Sequence, residues 1–145
     1  VYTGKAIALL PVIRDGYRKL VRDRDYTLAY RNNAKIGTAS VVIKGKGAYK
    51  GKITVKFNIV PGSTTLAFRT TDAGKILSWR KILGADNYAL ERLTDGEFAE
   101  FRTLDGDILS YTLADGEEGT FRICARKKSG DKYICGAWSN SIEAL

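Results

Sequence analysis

The most constraining feature of this sequence is a strict alternation of apolar and polar residues over positions 53–59. Every odd position from Ile53 to Ile59 is apolar, and every even position is polar. Successive side chains of a β-strand point to opposite faces of its sheet, so this spacing predicts a strand with one face buried and the other in water. Residues 26–30 show the same period, and the β-branched residues at 38–43 predict a third strand.

The rest of the chain also has a sequence pattern typical of β-structure. Between residues 77 and 138, short apolar segments recur about every ten residues, separated by Gly- and Asp-rich turn signals. This spacing is typical of a β-sandwich, and no window shows a sustained helical period. The opening segment 5–13 contains Pro11, which cannot donate to a ladder, so we expect it to form an edge strand or a strand start. The sequence predicts an all-β protein.

Charge divides the chain into two parts. Residues 1–60 carry thirteen Lys and Arg against three Asp, whereas residues 61–145 carry eleven Lys and Arg against thirteen Asp and Glu. The segment 60–64 contains Pro61 and Gly62, which break a strand ladder, at the point where the charge changes. We therefore predict two domains, 1–60 and 61–145, and fold class all-β with two tandem β-sandwich modules.

The basic first half suggests an anionic partner, such as a cell-wall polymer, an acidic glycan or nucleic acid. The most ligand-like patch combines one aromatic ring with four cations, namely Tyr49, Lys44, Lys46, Lys50 and Lys52. Two alternatives stay open at this point. The cations can serve solubility and protect strand edges from aggregation, and Tyr49 can cover the edge of its own core.

The second half resembles the fibronectin type III family from about residue 62 to the end of the chain. The matching residues are Leu77-Ser78-Trp79, Gly84-Ala85-Asp86-x-Tyr88-x-Leu90, Phe121-x-Ile123-x-Ala125 and Trp138-Ser139. The resemblance implies a sandwich whose core is filled by Trp79 and Tyr88, with Phe121, Ile123 and Ala125 pointing inward from one strand. One departure is Phe121, where the family usually has a Tyr whose hydroxyl closes a corner, a hydrogen bond worth about 1 kcal/mol.

The first half is similar to an immunoglobulin-like repeat of secreted and wall-attached proteins of Gram-positive anaerobes. The matching residues are Tyr2-Thr3-Gly4-Lys5-Ala6, Asp25-Tyr26-Thr27-Leu28-x-Tyr30-x-Asn32-Asn33 and the Gly-rich stretch from Gly37-Thr38-Ala39 through Gly45, Gly47, Tyr49 and Gly51 to Ile59. Such repeats occur in series and often precede fibronectin type III units. The resemblance implies an extracellular location, secreted or attached to the cell wall, with the export signal and anchor elsewhere in a longer protein.

Catalytic chemistry finds little support in the composition. The chain has no His, so a Ser or Cys nucleophile lacks its usual base, and two Cys without His make a zinc site improbable. No phosphate-binding or dinucleotide-binding glycine motif is present. Acidic clusters at 95–97, 105–107 and 115–118 sit beside Gly in predicted turns, where Asp bonds its own backbone, although weak calcium binding stays open. We expect no enzyme activity, no metal and no cofactor.

The two cysteines frame a predicted hairpin. Cys124 and Cys135 are centred between Ser129 and Gly130, so a turn there would place them opposite each other and facing outward from the core. Opposed cysteines in an oxidising exterior can form a disulfide, whereas wall proteins of this kind often use none. The sequence leaves both the disulfide-bonded and the free state of the two cysteines open.

The function expected from these features is that of a non-catalytic spacer or adhesion segment of a larger bacterial cell-surface or secreted protein. Its expected partners are neighbouring domains of that protein and an anionic wall polymer, a glycan or a host surface protein. A selective ligand-binding module is one alternative, and an accessory domain of a glycan- or peptidoglycan-processing enzyme is another. We expect no membrane insertion and no sequence-specific nucleic-acid binding.

Overall fold

The computed structural model describes residues 1–145 and contains strands but no helix. This confirms the prediction of an all-β protein. No helix is present that could span a membrane. The chain separates into two compact units, Tyr2–Ile59 and Val60–Leu145. We call them the basic unit and the sandwich unit and describe each by itself.

The basic unit contains two antiparallel sheets, and all the strand pairs in them are hairpins. A two-residue hairpin joins β1 (Arg14–Asp15) to β2 (Arg18–Lys19). A three-stranded sheet follows in the order β3-β4-β5, formed by Tyr26–Arg31, Gly37–Gly45 and Lys52–Ile59. Strand β5 is the segment whose strict alternation predicts a strand, and β3 and β4 correspond to the other two predicted strands.

The opening segment 5–13 forms no strand, so the expectation of an edge strand or strand start there was wrong. Its backbone is bonded to the β3–β4 turn instead: Ile7 N donates to Asn33 O (2.7 Å), and Asn33 Nδ2 donates to Ile7 O (2.9 Å). The Tyr30 hydroxyl donates to Leu9 O (2.5 Å). These contacts satisfy backbone groups of Ile7 and Leu9 that a ladder would otherwise satisfy.

The sandwich unit contains eight strands in two sheets. They are β6 (Ala67–Thr71), β7 (Gly74–Ser78), β8 (Asn87–Thr94), β9 (Glu97–Asp105), β10 (Ser110–Leu113), β11 (Gly119–Ser129), β12 (Lys132–Cys135) and β13 (Ile142–Ala144). One sheet has the order β10-β7-β6, and the other has the order β12-β11-β8-β9. Strand β13 pairs with the beginning of β11, and β12 pairs with its end.

One apolar cluster is built from both sheets of this unit, which is consistent with a β-sandwich. Its buried members are Leu66, Leu77, Trp79, Tyr88, Leu90, Leu113, Phe121, Ile123, Ala125 and Ala144. The predicted core residues are therefore buried where the sequence places them. The rings of Trp79 and Tyr88 meet with centroids 5.7 Å apart, a tilted aromatic pair that contributes beyond its buried area.

The polar atoms of the core residues Tyr88 and Trp79 differ in their hydrogen bonding. The Tyr88 hydroxyl accepts a hydrogen bond from Ile82 N (2.8 Å), whereas Trp79 Nε1 is buried without a partner. Phe121 is fully buried and stacks edge-on against Phe101 at 5.5 Å. The packing at Phe121 is thus intact without the hydroxyl that its position usually carries in the resembled family.

Truncation of Phe121 provides a test of this core. We expect Phe121→Ala to lower the free energy of unfolding of the sandwich unit by about 3–5 kcal/mol, because it removes a buried ring and leaves a cavity. Both tryptophans of the chain lie in this unit, so tryptophan fluorescence in urea follows its unfolding alone. Leu93→Ala, at an exposed position, should change stability by less than about 0.5 kcal/mol. Equal losses in the two variants would contradict the assigned core.

Candidate anion-binding surface

The three-stranded sheet of the basic unit has two faces of opposite character. The apolar face carries side chains at alternate positions of each strand: Tyr26, Leu28, Tyr30, Ala39, Val41, Ile43, Ile53, Val55, Phe57 and Ile59. The opposite face carries four exposed cations and no acidic residue, and we call it the cationic face: Arg31, Lys44, Lys52 and Lys56. The two-residue period of a strand separates these sets, so the alternation that predicts β5 also creates the cationic face.

The strand register places two of these cations against each other. Lys44 of β4 lies directly opposite Lys52 of β5, and Thr27 of β3 lies on the other side of Lys44 in the same row. The Cβ atoms of directly opposite residues are about 4.5–5.5 Å apart, and like charges at that distance destabilise a sheet. Neither lysine has an acidic partner. A bound anion between the two ammonium groups would relieve this repulsion.

A second cationic row crosses the same face four residues further along the strands. It consists of Arg31, Ser40 and Lys56, which are paired across β3, β4 and β5. Four residues of strand span about 13 Å, which exceeds the screening length of about 8 Å at physiological ionic strength. The two rows therefore repel each other little, and each can hold a separate anionic group of an extended polymer.

Most cations of the basic unit lack an acidic partner. Ion pairs there join only sequence neighbours, Arg22 with Asp23 (3.7 Å) and Arg24 with Asp25 (2.8 Å). With these two arginines paired, eleven of the thirteen cations stay unpaired. A surface with this surplus attracts polyanions over long range and releases them as salt is added.

The sandwich unit differs from the basic unit, because it contains six ion pairs of its own. Arg126 is buried and donates to Asn87 Oδ1 (2.9 Å), Glu100 Oε2 (2.8 Å) and Thr103 Oγ1 (2.8 Å). Its guanidinium also lies 4.4 Å from the centroid of the Tyr133 ring. All of the donor atoms of this arginine are thus engaged within the unit, and it is not available to a ligand.

Two of the three acidic clusters of the sandwich unit, 105–107 and 115–118, also take part in internal contacts. Asp107 pairs with Lys81 (2.5 Å), and Glu118 pairs with Lys75 (2.7 Å). Glu117 accepts from the backbone N–H of Ala114 (2.9 Å), and this bond is the largest of the contacts that lower its pKa. These carboxylates hold turns and neighbouring cations, in line with their interpretation as turn residues.

The predicted patch is only partly assembled. Lys44 and Lys52 face each other, and Lys50 is exposed in the loop between their strands. Lys46 is exposed, but its Nζ donates to the backbone carbonyl of Asp23 (2.6 Å). The fifth member, Tyr49, is half-buried rather than free.

Tyr49 connects the β4–β5 loop to the first hairpin. Its hydroxyl donates to Asp15 Oδ2 in β1 (3.1 Å), and burial together with this hydrogen bond raises its pKa. Tyr49 also borders a cavity of about 140 Å³. The lining residues are Ile13, Leu20, Asp25, Tyr26, Ile43, Gly45, Tyr49, Lys50, Gly51, Lys52 and Ile53. Tyr49 is therefore a half-buried residue beside this cavity and not an exposed stacking platform.

Asp25 fixes the loops beside the cavity. Its carboxylate accepts from Arg24 and from the backbone N–H of Val21 (2.8 Å), and its own carbonyl accepts from Lys46 N (2.9 Å). The hydrogen bond from Arg24, followed by that from Val21, lowers the pKa of Asp25 to about 2. The carboxylate is therefore charged at neutral pH and holds the β2–β3 turn, while the backbone carbonyl of Asp25 joins that turn to the β4–β5 loop.

The cysteines are not opposite each other, and the predicted register was wrong. Cys135 pairs with Arg126, while Cys124 pairs with Ala89 of β8. The β11–β12 turn lies at Gly130–Asp131, one residue later than predicted, and this offset makes the cysteines diagonal neighbours on one face. Both thiols are free, and Cys124 is buried rather than directed into solvent. Burial, and then the nearby Cys135 thiol, raise the pKa of Cys124, so it stays protonated and weakly reactive.

Sequence reasoning from the lysine-rich loop missed Arg31 and Lys56. The signal that could have found them is their parity with Lys44 and Lys52 in the alternating strands, because equal parity in paired strands means a shared face. No protein-family model, curated protein or solved structure matches the chain.

The Lys44–Lys52 repulsion predicts that a charge reversal stabilises the basic unit. We expect Lys52→Glu to raise its free energy of unfolding by about 0.2–1 kcal/mol, since an opposite-charge pair replaces a like-charge pair. Urea unfolding followed through the amide NMR signals of residues 2–59 measures this change. Lys56→Glu alters the charge of the same strand and face equally but lies opposite Ser40, so it should gain less. An equal or larger gain in that control would show that only the net charge matters.

Proposed function

We propose that this chain is a non-catalytic segment of a larger extracellular bacterial protein, a spacer or adhesion element whose basic unit rests against an anionic polymer. The observation that carries the proposal is the cationic face, on which Lys44 and Lys52 stand directly opposite each other without an acidic partner. Such a face recognises charge density rather than one sequence or one sugar, which suits a teichoic-acid-like wall polymer or an acidic glycan.

The architecture supports the spacer part of the proposal. We assign the sandwich unit to the fibronectin type III family and the basic unit to the immunoglobulin-like repeats of Gram-positive surface proteins. The first assignment is supported by the two sheets, with strand orders β10-β7-β6 and β12-β11-β8-β9, and by the single core between them, which contains Trp79, Tyr88 and Phe121. Supporting the second are the residues of the resemblance, which fall on β3, β4, β5 and their turns. Modules of this kind, strung in series, separate a functional domain from the surface that anchors it.

Binding in this proposal is electrostatic and therefore depends steeply on salt. The chain should bind teichoic acid, heparin and single-stranded nucleic acid alike. For single strands, each neutralised phosphate contributes about 0.7 to the slope of log affinity against log salt concentration. Removing two contacts with Lys44→Gln/Lys52→Gln should therefore reduce that slope by about 1.4. Fluorescence anisotropy with a labelled single-stranded oligonucleotide at several salt concentrations measures it.

The matched control removes two exposed lysines from the sandwich unit. Lys128→Gln/Lys132→Gln changes the net charge by the same amount, and neither ammonium group belongs to an ion pair. This variant should keep the slope of the parent chain. If both double variants lose the same slope, only net charge is sensed and the cationic face is not a site. If binding is insensitive to salt, the electrostatic account fails altogether.

A selective ligand-binding module is the second candidate, and the cavity beside Tyr49 favours it. A volume of about 140 Å³, lined by apolar residues together with Asp25, Lys50 and Lys52, suits a small group such as one substituent of a sugar. Calorimetry with neutral and acidic oligosaccharides separates the candidates. Binding of one oligosaccharide that persists at high salt and is lost in Tyr49→Ala would favour the selective module over the polyanion surface.

A further inference from the structure

Strand β5 is an uncovered edge. It spans Lys52–Ile59 and pairs only with β4, so its other side presents unpaired backbone groups. It contains no proline and pairs with β4 without a register shift over eight residues. Long, regular edges of this kind are templates for pairing with another strand, and proteins usually cover or interrupt them.

The side chains of β5 make this edge apolar on one face. Ile53 is 65% exposed and Val55 is 45% exposed, although both belong to the apolar face of the sheet. Phe57, two residues further, is half-buried. An added strand would give these side chains neighbours on the side that β4 does not occupy.

We propose that β5 pairs antiparallel with β5 of a second copy of this chain, about a two-fold axis through Val55. In this register Val55 faces Val55, and Ile53 faces Phe57 of the partner copy. On the cationic face Lys52 then meets Asn58 and Thr54 meets Lys56, so no lysine faces a lysine. Self-complementary cross-strand pairs of this kind are what a closed two-fold dimer requires.

Neighbouring registers are worse for a simple electrostatic reason. Side chains alternate between the two faces of a sheet, so the register can shift only in steps of two residues if the apolar side chains are to stay on one face. A slip toward the beginning of β5 puts Lys52 opposite Lys56, and a slip toward the end puts Lys56 opposite itself. Of these three registers, only the one centred on Val55 places no lysine of Lys52–Ile59 opposite another lysine.

Pairing in this register joins two three-stranded sheets into one sheet of six. A two-fold axis perpendicular to the sheet places both cationic faces on the same side, so the dimer doubles the cationic surface. Each copy carries a net charge of +8, and this charge opposes association at low salt. Self-association should therefore strengthen as salt is added, which is the reverse of polyanion binding.

Sedimentation equilibrium of the full chain tests the dimer. We expect a reversible dimer whose Kd falls between about 50 mM and about 500 mM salt, as screening increases. Val55→Lys should raise that Kd at least about tenfold, because it removes the Val55–Val55 contact and places two cations on the axis. Ile108→Lys is the matched control in the sandwich unit, with the native side chain 44% exposed, and it should leave the Kd unchanged.

Disulfide trapping tests the register itself, in a Cys135→Ser background that leaves only the buried Cys124. Oxidised with diamide, Val55→Cys should crosslink to itself. Thr54→Cys should not crosslink to itself, because position 54 of the partner copy lies diagonally across the strand pair, beyond the reach of a disulfide. It should crosslink when mixed with Lys56→Cys, because positions 54 and 56 of the two copies lie directly opposite each other. Crosslinking of Thr54→Cys alone in preference to Val55→Cys would overturn the register.

Other outcomes would overturn the proposal as a whole. A chain that is monomeric at every salt concentration has no self-pairing edge, and a dimer that survives Val55→Lys uses another surface. A peptide of alternating Val and Asp can be titrated into the chain as a probe. If it shifts the β5 amide signals while the chain stays monomeric, the edge belongs to an acidic strand of another polypeptide.

Discussion

The repulsion between Lys44 and Lys52 is the interaction on which the functional account depends. Antiparallel pairing of β4 with β5 sets two ammonium groups side by side, and no carboxylate lies near enough to neutralise them. A sheet tolerates such a pair at a cost of about 0.2–1 kcal/mol. In the proposed complex an anion between the two ammonium groups would offset that cost, so the geometry that weakens the free sheet would favour the bound one.

The two units use charge for different purposes. In the sandwich unit, guanidinium groups are held by carboxylates and aromatic rings; Arg122, for example, pairs with Glu91 and lies between the rings of Phe98 and Trp138. These contacts stabilise the outer side of a sheet whose inner side is the core. In the basic unit only Arg22 and Arg24 have a carboxylate partner, and the four cations of the cationic face have none, so in our proposal they are free to bind a polymer. The chain therefore combines a unit that has six internal ion pairs with a unit in which eleven of thirteen cations have no acidic partner.

Sequence reasoning reached the strands because alternation is a local property. The pattern 53–59 predicted β5, and the pattern of Phe121, Ile123 and Ala125 predicted the inner side of β11. Strand register and long-range contacts were harder to predict from the sequence. A turn one residue later than expected separates Cys124 from Cys135, and the bond from Tyr49 to Asp15 joins residues 34 positions apart. The Tyr49 bond follows from how the hairpins fold against each other, which local composition does not reveal. The turn is local, but its Ser-Gly-Asp sequence does not fix which two residues form it.

The most direct test of the central claim is an NMR titration of the ¹⁵N-labelled chain with teichoic acid at low salt. The account predicts amide shift changes concentrated on the two rows of the cationic face, around Lys44 and Lys52 and around Arg31 and Lys56, that reverse as salt is added. The β11–β12 hairpin, with Lys127, Lys128 and Lys132, should respond little. Shift changes of equal size in that hairpin, or none on the cationic face, would contradict the account.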